Sequence, residues 1–171
     1  MKVDVEYLRF MWPMRHFLIT TGDIAHKTNI IAVSFCMPVS KEPPLIACAV
    51  GPHTLSYQLL TETREFIVNV PSQDLHNAIC FCGFNSGRDV DKFKKTGLTA
   101  EPARSVRTPI IAECIAHMEC TVTQEIITGD KILIVGKVVE AYADNSVAPS
   151  DAPYSYALGD FPHHIYSTRF K

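Results

Sequence analysis

The sequence predicts a mainly β domain with a few short helices, wound into a closed or nearly closed barrel. Short β-rich runs separated by turn residues recur from His16 onward. Two long β-rich runs, Glu113 to Ile127 and Lys131 to Tyr142, flank Thr128-Gly129-Asp130, which is a hairpin signal. Long paired strands of this kind suit a barrel. The chain has 171 residues, enough for one compact domain, and is 47% hydrophobic, so a sizeable core forms without disulfide or metal staples.

Taken in order, the first twelve residues form an amphipathic lead-in that Pro13 ends. His16 to Thr21 is the first strand and stops at Gly22-Asp23. Ile30 to Phe35 is the second. Met37-Pro38-Val39-Ser40 leaves it, and Pro43-Pro44 forces an extended turn. Leu45 to Val50 is apolar throughout and is expected to be buried on both faces. Gly51-Pro52-His53-Thr54 opens a helix with Thr54 as N-cap and Leu55, Leu59 and Leu60 on one face. Glu65 to Val70 is a strand closed by Pro71. Ser72 is expected to cap the next helix, with Leu75, Ile79 and Cys80 facing inward. Ser86-Gly87-Arg88-Asp89 has the form of a capping box ahead of a short helix carrying Val90 and Phe93. Thr96 to Thr108 is polar and reads as loop. The tail from Ser146 is rich in Pro, Ser, Tyr and His, and its aromatics imply an ordered surface segment.

Charge and motifs narrow the function. A net charge of −2 gives no basic footprint for nucleic acid or for an anionic membrane. No apolar run approaches the roughly 18 residues that a membrane span needs. The N-terminus lacks a signal-peptide layout, and a cytoplasmic location is expected. The six cysteines sit mostly within apolar runs and are expected to be reduced thiols. The chain contains no Gly-x-Gly, Gly-Lys-Ser/Thr, Gly-x-Ser-x-Gly, His-Glu-x-x-His or Cys-x-x-Cys. His76, Cys80 and Cys82 are soft ligands within one short segment, but a fourth has no evident source. Core cysteines on a helix are the preferred reading, and no metal is expected.

Four stretches carry a family resemblance. They are Thr28 to Pro44 (TNIIAVSFCMPVSKEPP); His53-Thr54 leading to Glu65 to Pro71; Ser86-Gly87 running through Asp91-Lys92-Phe93 to Gly97-Leu98; and Ile126 to Val138 with Gly129-Asp130-Lys131. In this order they resemble the flavin reductase-like, FMN-binding split-barrel family, and its flavoredoxin-like members in particular. The resemblance covers roughly residues 13 to 142, the expected core of a single domain spanning 1–171, with the tail 143–171 packing near the flavin.

The resemblance implies a set of FMN contacts. Asn29 matches a position near the ring, and its amide can serve the pyrimidine edge; otherwise it is an Asn ending a turn. Ser34, Phe35, Cys36 and Met37 match the strand end lining the ring, with ordinary core packing as the alternative for Phe35 and Cys36. His53, Thr54 and Ser56 match the phosphate-binding segment, where a helix N-terminus offers N–H groups and a positive dipole end to an anion; the alternative is a plain N-cap. Lys92 matches a basic residue reaching the phosphate, or is a solvated helix lysine. Lys131 stands where the family usually has histidine. It keeps a positive donor but cannot shuttle a proton as histidine can. His164 falls where relatives place an aromatic over the flavin, with His163 an equal candidate and an exposed His pair the alternative.

The implied function is redox chemistry supplied by FMN, with the protein binding and tuning it. No catalytic side chain is expected. The first reading is an NAD(P)H-dependent flavin or ferric reductase. The second is an electron carrier or FMN-holding protein without nicotinamide activity, served by a ferredoxin-type donor. Family members pair into dimers, which implies a homodimer here.

Overall fold

Seven strands form one antiparallel sheet: β1 (Phe17–Gly22), β2 (Thr28–Val33), β3 (Cys36–Ser40), β4 (Leu45–Val50), β5 (Glu65–Val70), β8 (Ala116–Thr128) and β9 (Lys131–Ala143). Their spatial order is β2-β1-β5-β8-β9-β4-β3. A separate two-stranded ladder joins β6 (Ala100–Glu101) to β7 (Ile110–Ile111). Three helices, α1 (Leu55–Thr63), α2 (His76–Phe84) and α3 (Lys92–Thr96), complete the regular structure, with 3-10 turns at Tyr7–Phe10 and Gln73–Leu75. This computed structural model describes residues 3–4, 6–11 and 14–145.

The sheet curls until its ends meet. β2 touches β4, and the Ala49 N–H donates to the Phe35 carbonyl at 2.9 Å. The long β8–β9 hairpin turns at Gly129, whose φ of +63° is the left-handed conformation that glycine adopts freely. Register shifts at Glu119/Cys120 and Val122/Gln124 bend that hairpin round the barrel.

Two cores result. Ile19, Val33, Cys48, Leu60, Phe66, Cys120 and Ile134 fill the inside of the curl. Leu18, Ile30, Ile79, Cys82, Ile111 and Cys114 pack between its outer face and α2. Successive strand residues point to opposite faces, so Leu18 and Ile19 serve different cores. This is why β1 carries no polar alternation.

The long strands match the sequence expectation closely; β3 and the short β6–β7 ladder, part of which lies in the segment read as loop, are the exceptions. Met37-Pro38-Val39-Ser40 does not leave the sheet; it forms an exposed edge strand paired only with β4. An edge position is where proline is tolerated. Thr54 caps α1 as expected, its hydroxyl oxygen accepting from the Tyr57 N–H. Ser72 makes no side-chain cap bond, and Ile79 and Cys82 are the buried residues of α2, with Cys80 half-buried. The Ser86 to Asp89 segment is a turn and not a capping box. Asp91 caps α3 by accepting from the Lys94 N–H.

Buried polar groups fasten the long loop to the barrel. The Glu119 carboxylate is fully buried and accepts from the N–H groups of Arg104, Ser105 and Val106 and from the Tyr142 hydroxyl. Four donors satisfy a carboxylate's acceptor capacity. Asn69 bonds Thr20, the Ile111 N–H and the His117 ring.

Two predictions follow from this packing. A Cβ on Gly136 would lie 2.4 Å from the Phe66 ring and 3.0 Å from the Cys120 Cβ. Gly136→Ala is expected to cost about 1–3 kcal/mol by overpacking, read as a lower urea midpoint at unchanged m-value. Burial also pushes His117 and His16 below the ordinary value of 6.5. As pH falls through 6.5 the unfolded chain takes up protons that the folded state resists. Unfolding stability therefore rises with pH across that window, and urea titrations at stepped pH should show a shallower slope in His117→Gln.

Candidate functional site

The place where the sheet ends meet is hollow at its surface. A groove of about 250 Å³ opens there, lined by Ile31 to Phe35, Ala49 to Gly51, Thr54 and Lys131. Its floor is β2 and the end of β4, and its wall is the loop that enters α1. Gly51 lets the chain turn out of β4; a Cβ there would press on the Thr54 methyl at 3.3 Å. The Thr54 hydroxyl donates to the Gly51 carbonyl at 2.8 Å and caps α1, fixing the positive end of that nine-residue helix at the rim. Phe35 is 40% exposed and stands over the groove. Lys131 reaches it from the β8–β9 turn, its ammonium 2.9 Å from Asp130.

A second hollow, about 420 Å³, lies at the opposite end of β2 between Asn29, Gly87, Arg88 and Lys92. Asn29 is 5% exposed, and its amide N–H donates to Ser56 Oγ at 2.8 Å. Gly87 leaves room for that amide, since a Cβ would sit 2.1 Å from Asn29 Oδ1. Arg88 Nε donates to the His53 carbonyl at 3.4 Å, joining the α1 entry loop to this hollow.

A third, mainly apolar groove of about 570 Å³ shares Ser34, Phe35 and Ala49 with the first. Cys36, Met37 and Leu133 line it on the sheet side, and Tyr7, Leu8 and Met11 on the N-terminal side.

The sequence-derived site residues thus fall into groups. Ser34, Phe35, Thr54 and Lys131 share one groove, Asn29 and Lys92 another, and Cys36 and Met37 the adjoining apolar one. His53 is exposed on the connecting loop. Two expectations need correction. Ser56 is fully buried, and its oxygen orients Asn29 from behind. Lys92 is not a solvated helix lysine: it is 4% exposed and donates to the carbonyls of Ile30 at 2.8 Å and Cys82 at 2.7 Å. Its ammonium satisfies an orphan carbonyl in the last turn of α2, and burial lowers its pKa. His163 and His164 lie outside the described residues.

Sequence reasoning gave Gly87 and Arg88 no role in the site, although their segment carries a capping pattern and part of the family resemblance. It also missed Tyr7, Leu8 and Met11, which have no motif. His76 Nε2 lies 3.7 Å from Cys80 Sγ, whereas Cys82 faces the core. Among the described residues no three His, Cys, Asp or Glu side chains form a metal-binding group. All six thiols are free. Burial pushes the Cys36 thiol up to about 12.

Comparison with known proteins agrees with this architecture. Residues 11–164 match the family model described as "Flavin reductase like domain". An uncharacterized protein of Archaeoglobus fulgidus is 34% identical over 79% of this chain and 75% of its own length. The NADH-dependent FAD reductase of Streptomyces globisporus is 29% identical over 60% of this chain and 56% of that protein. Among solved structures, the flavoredoxin of Desulfovibrio vulgaris (Miyazaki F) superposes with a TM-score of 0.75. It is 27% identical and covers 81% of this chain and 74% of that one. The mainly β split barrel expected from the sequence is the fold of this chain.

Lys92 gives a direct test of the site's frame. Lys92→Met leaves two buried carbonyls without their donor and is expected to cost about 1–3 kcal/mol in urea unfolding. A surface lysine would stay within about 0.5 kcal/mol of the wild type.

Proposed function

The chain belongs to the flavin reductase like family, and we propose that it binds one FMN along β2 and passes electrons through it. The observation that carries this reading is that the N-terminus of α1 opens into the same groove as Phe35 and Lys131. At a rise of about 3.3 Å per residue, Ser34 and Asn29 lie roughly 16 Å apart along the strand. That length of strand leaves room for a tricyclic ring at the Ser34–Phe35 corner and a ribityl chain along β2, with the phosphate at the α1 N-terminus on the groove's rim.

Each residue then has a defined task. Ser34 and Phe35 hold the ring edge and face, with Cys36 and Met37 closing the apolar side. The α1 N-terminus, His53 and Thr54 face the phosphate end. Asn29 offers an amide at the far end of β2, with Ser56 and Lys92 fixing the backbone and amide behind it. Lys131 supplies positive charge near the ring and stabilises a negative reduced form. His164 remains assigned to the ring by family resemblance alone. When bound, FMN supplies the hydride and electron chemistry.

The family relationship and the NADH-dependent relative support an NAD(P)H-dependent flavin reductase as the leading activity. The structural match to a flavoredoxin favours a second reading, an electron carrier without nicotinamide activity of its own. Phe35, Met37, Val39 and Ile127 are exposed apolar residues, and this supports pairing of two copies. No helix among the described residues is long and apolar enough to cross a membrane.

Reconstitution with FMN followed by anaerobic NADPH and NADH oxidation, with free FMN as acceptor, tests the proposal. An oxidised-flavin spectrum that survives gel filtration and bleaches with turnover supports the reductase. A bound flavin that no nicotinamide reduces supports the carrier. Failure to retain FMN overturns both.

A further inference from the structure

We infer that Cys36 and Cys48 form a redox-active dithiol that closes to a cross-strand disulfide by exchange with a low-molecular-weight disulfide. The inference stands on the register of β3 and β4 and does not depend on flavin binding.

Cys36 and Cys48 are directly opposed in the antiparallel β3–β4 pair. The neighbouring pair, Phe35 opposite Ala49, is joined by the Ala49 N–H to Phe35 carbonyl bond at 2.9 Å. Antiparallel pairs alternate between hydrogen-bonded and non-hydrogen-bonded, so Cys36 and Cys48 occupy a non-hydrogen-bonded position, where Cα atoms stand about 4.5 Å apart. Directly opposed side chains share one face of the sheet. A disulfide accepts Cα separations of about 4.4–6.8 Å, so the bond closes with little backbone movement.

Both side chains point to the same interior. Cys48 is a fully buried member of the inner core, and Cys36 packs against that core. Their proximity appears in their ionisation: burial raises Cys48, and the neighbouring Cys36 and Cys120 sulfurs raise it further. Burial raises the Cys120 thiol and the nearby Cys36 raises it further, but only Cys48 stands directly opposite Cys36 in a strand register.

The two thiols differ in access, which assigns their roles. Cys36 lines the 570 Å³ apolar groove and is only half-buried; Cys48 has no exposure. The Cys36 thiolate attacks one sulfur of the small disulfide. The S–S bond of that molecule breaks, one thiolate leaves and takes up the proton that Cys36 released, and a mixed disulfide remains on Cys36. Cys48 then loses its proton, attacks the Cys36 sulfur and expels the second small thiol, which carries that proton away. Two protein thiols are oxidised and one disulfide is reduced to two thiols. A buried thiol reacts slowly at neutral pH because the thiolate is the nucleophile, so the rate should climb with pH.

The test uses the full-length reduced protein incubated with oxidised glutathione at mildly alkaline pH, followed by non-reducing peptide mapping. Expected are loss of two hydrogens and a peptide containing Cys36 joined to one containing Cys48, reversed by dithiothreitol. In Cys48→Ala the glutathione should stay on Cys36, because the resolving thiol is gone. Cys114→Ser, in the other core, should leave the link intact. Glutathione persisting on Cys36 in the wild type, a Cys36–Cys120 link, or no modification overturns the inference. Wild-type mapping alone decides the point if a variant fails to fold.

Discussion

The contact on which this structure depends is the closure of the sheet at Phe35, where the chain leaving β2 meets β4. A sheet of seven strands exposes two edges, and an open edge is a liability. Here the chain leaving β2 passes straight into the β3–β4 ladder, whose rung from the Ala49 N–H to the Phe35 carbonyl holds the end of β2 beside β4. The same closure creates the inner core and forces Ser34 and Phe35 to the rim. It also places the exit of β4, and hence the N-terminus of α1, beside them. The groove is therefore a by-product of closing the barrel and not a separate insertion.

The other end of β2 is held by a different device. Its Ile30 carbonyl faces away from β1 and would be an unpaired acceptor under α2 and α3. Lys92 supplies the donor and serves the Cys82 carbonyl at the same time. One buried ammonium thus ties the edge strand to the C-terminal turn of α2. A buried ammonium is costly unless its bonds are made, so the arrangement binds strand and helix as one unit. Asn29, next to Ile30 on β2, is kept in place by Ser56 on one side and by the bare backbone of Gly87 on the other. Both ends of β2 are rigid for reasons unrelated to any ligand, and rigid elements make accurate sites.

Much of this was legible in the sequence, and the failures have physical causes. The long hairpin, β1, β2, β4, β5 and the Thr54 cap follow from composition and turn chemistry. β3 was not legible, because an exposed edge strand needs neither apolar alternation nor freedom from proline. Lys92 was misleading: Lys94 and Lys95 beside it are exposed, and a helix of five residues gives no periodicity that singles out the buried one. Ser56 was grouped with the phosphate-binding segment by family resemblance, yet the first turn of α1 already faces β2 and buries it. The union of Ser34, Phe35, Thr54 and Lys131 in one groove could not be read from spacing, since it depends on how far the sheet curls. Family resemblance supplied that grouping, and the register of the strands explains it.

Lys131 shows how a departure from a family pattern can be weighed physically. Its ammonium rests on Asp130, its sequence neighbour, at the tip of an exposed turn. An exposed pair of this kind contributes little, because water screens it and the side chains are free to part. The lysine is therefore poised and not committed: an anion entering the groove competes with a weak partner. A histidine at this position would bring a ring that stacks and a proton that can be passed on near neutrality. A lysine brings a permanent charge on a longer, more flexible stem. The difference shifts the contribution of residue 131 from proton handling toward electrostatic stabilisation. For the proposed flavin that means a more favourable reduced, negatively charged ring, with any proton for the acceptor coming from water. That charge serves the carrier and the reductase readings alike, because it stabilises the anionic reduced ring whether electrons leave singly or as a pair.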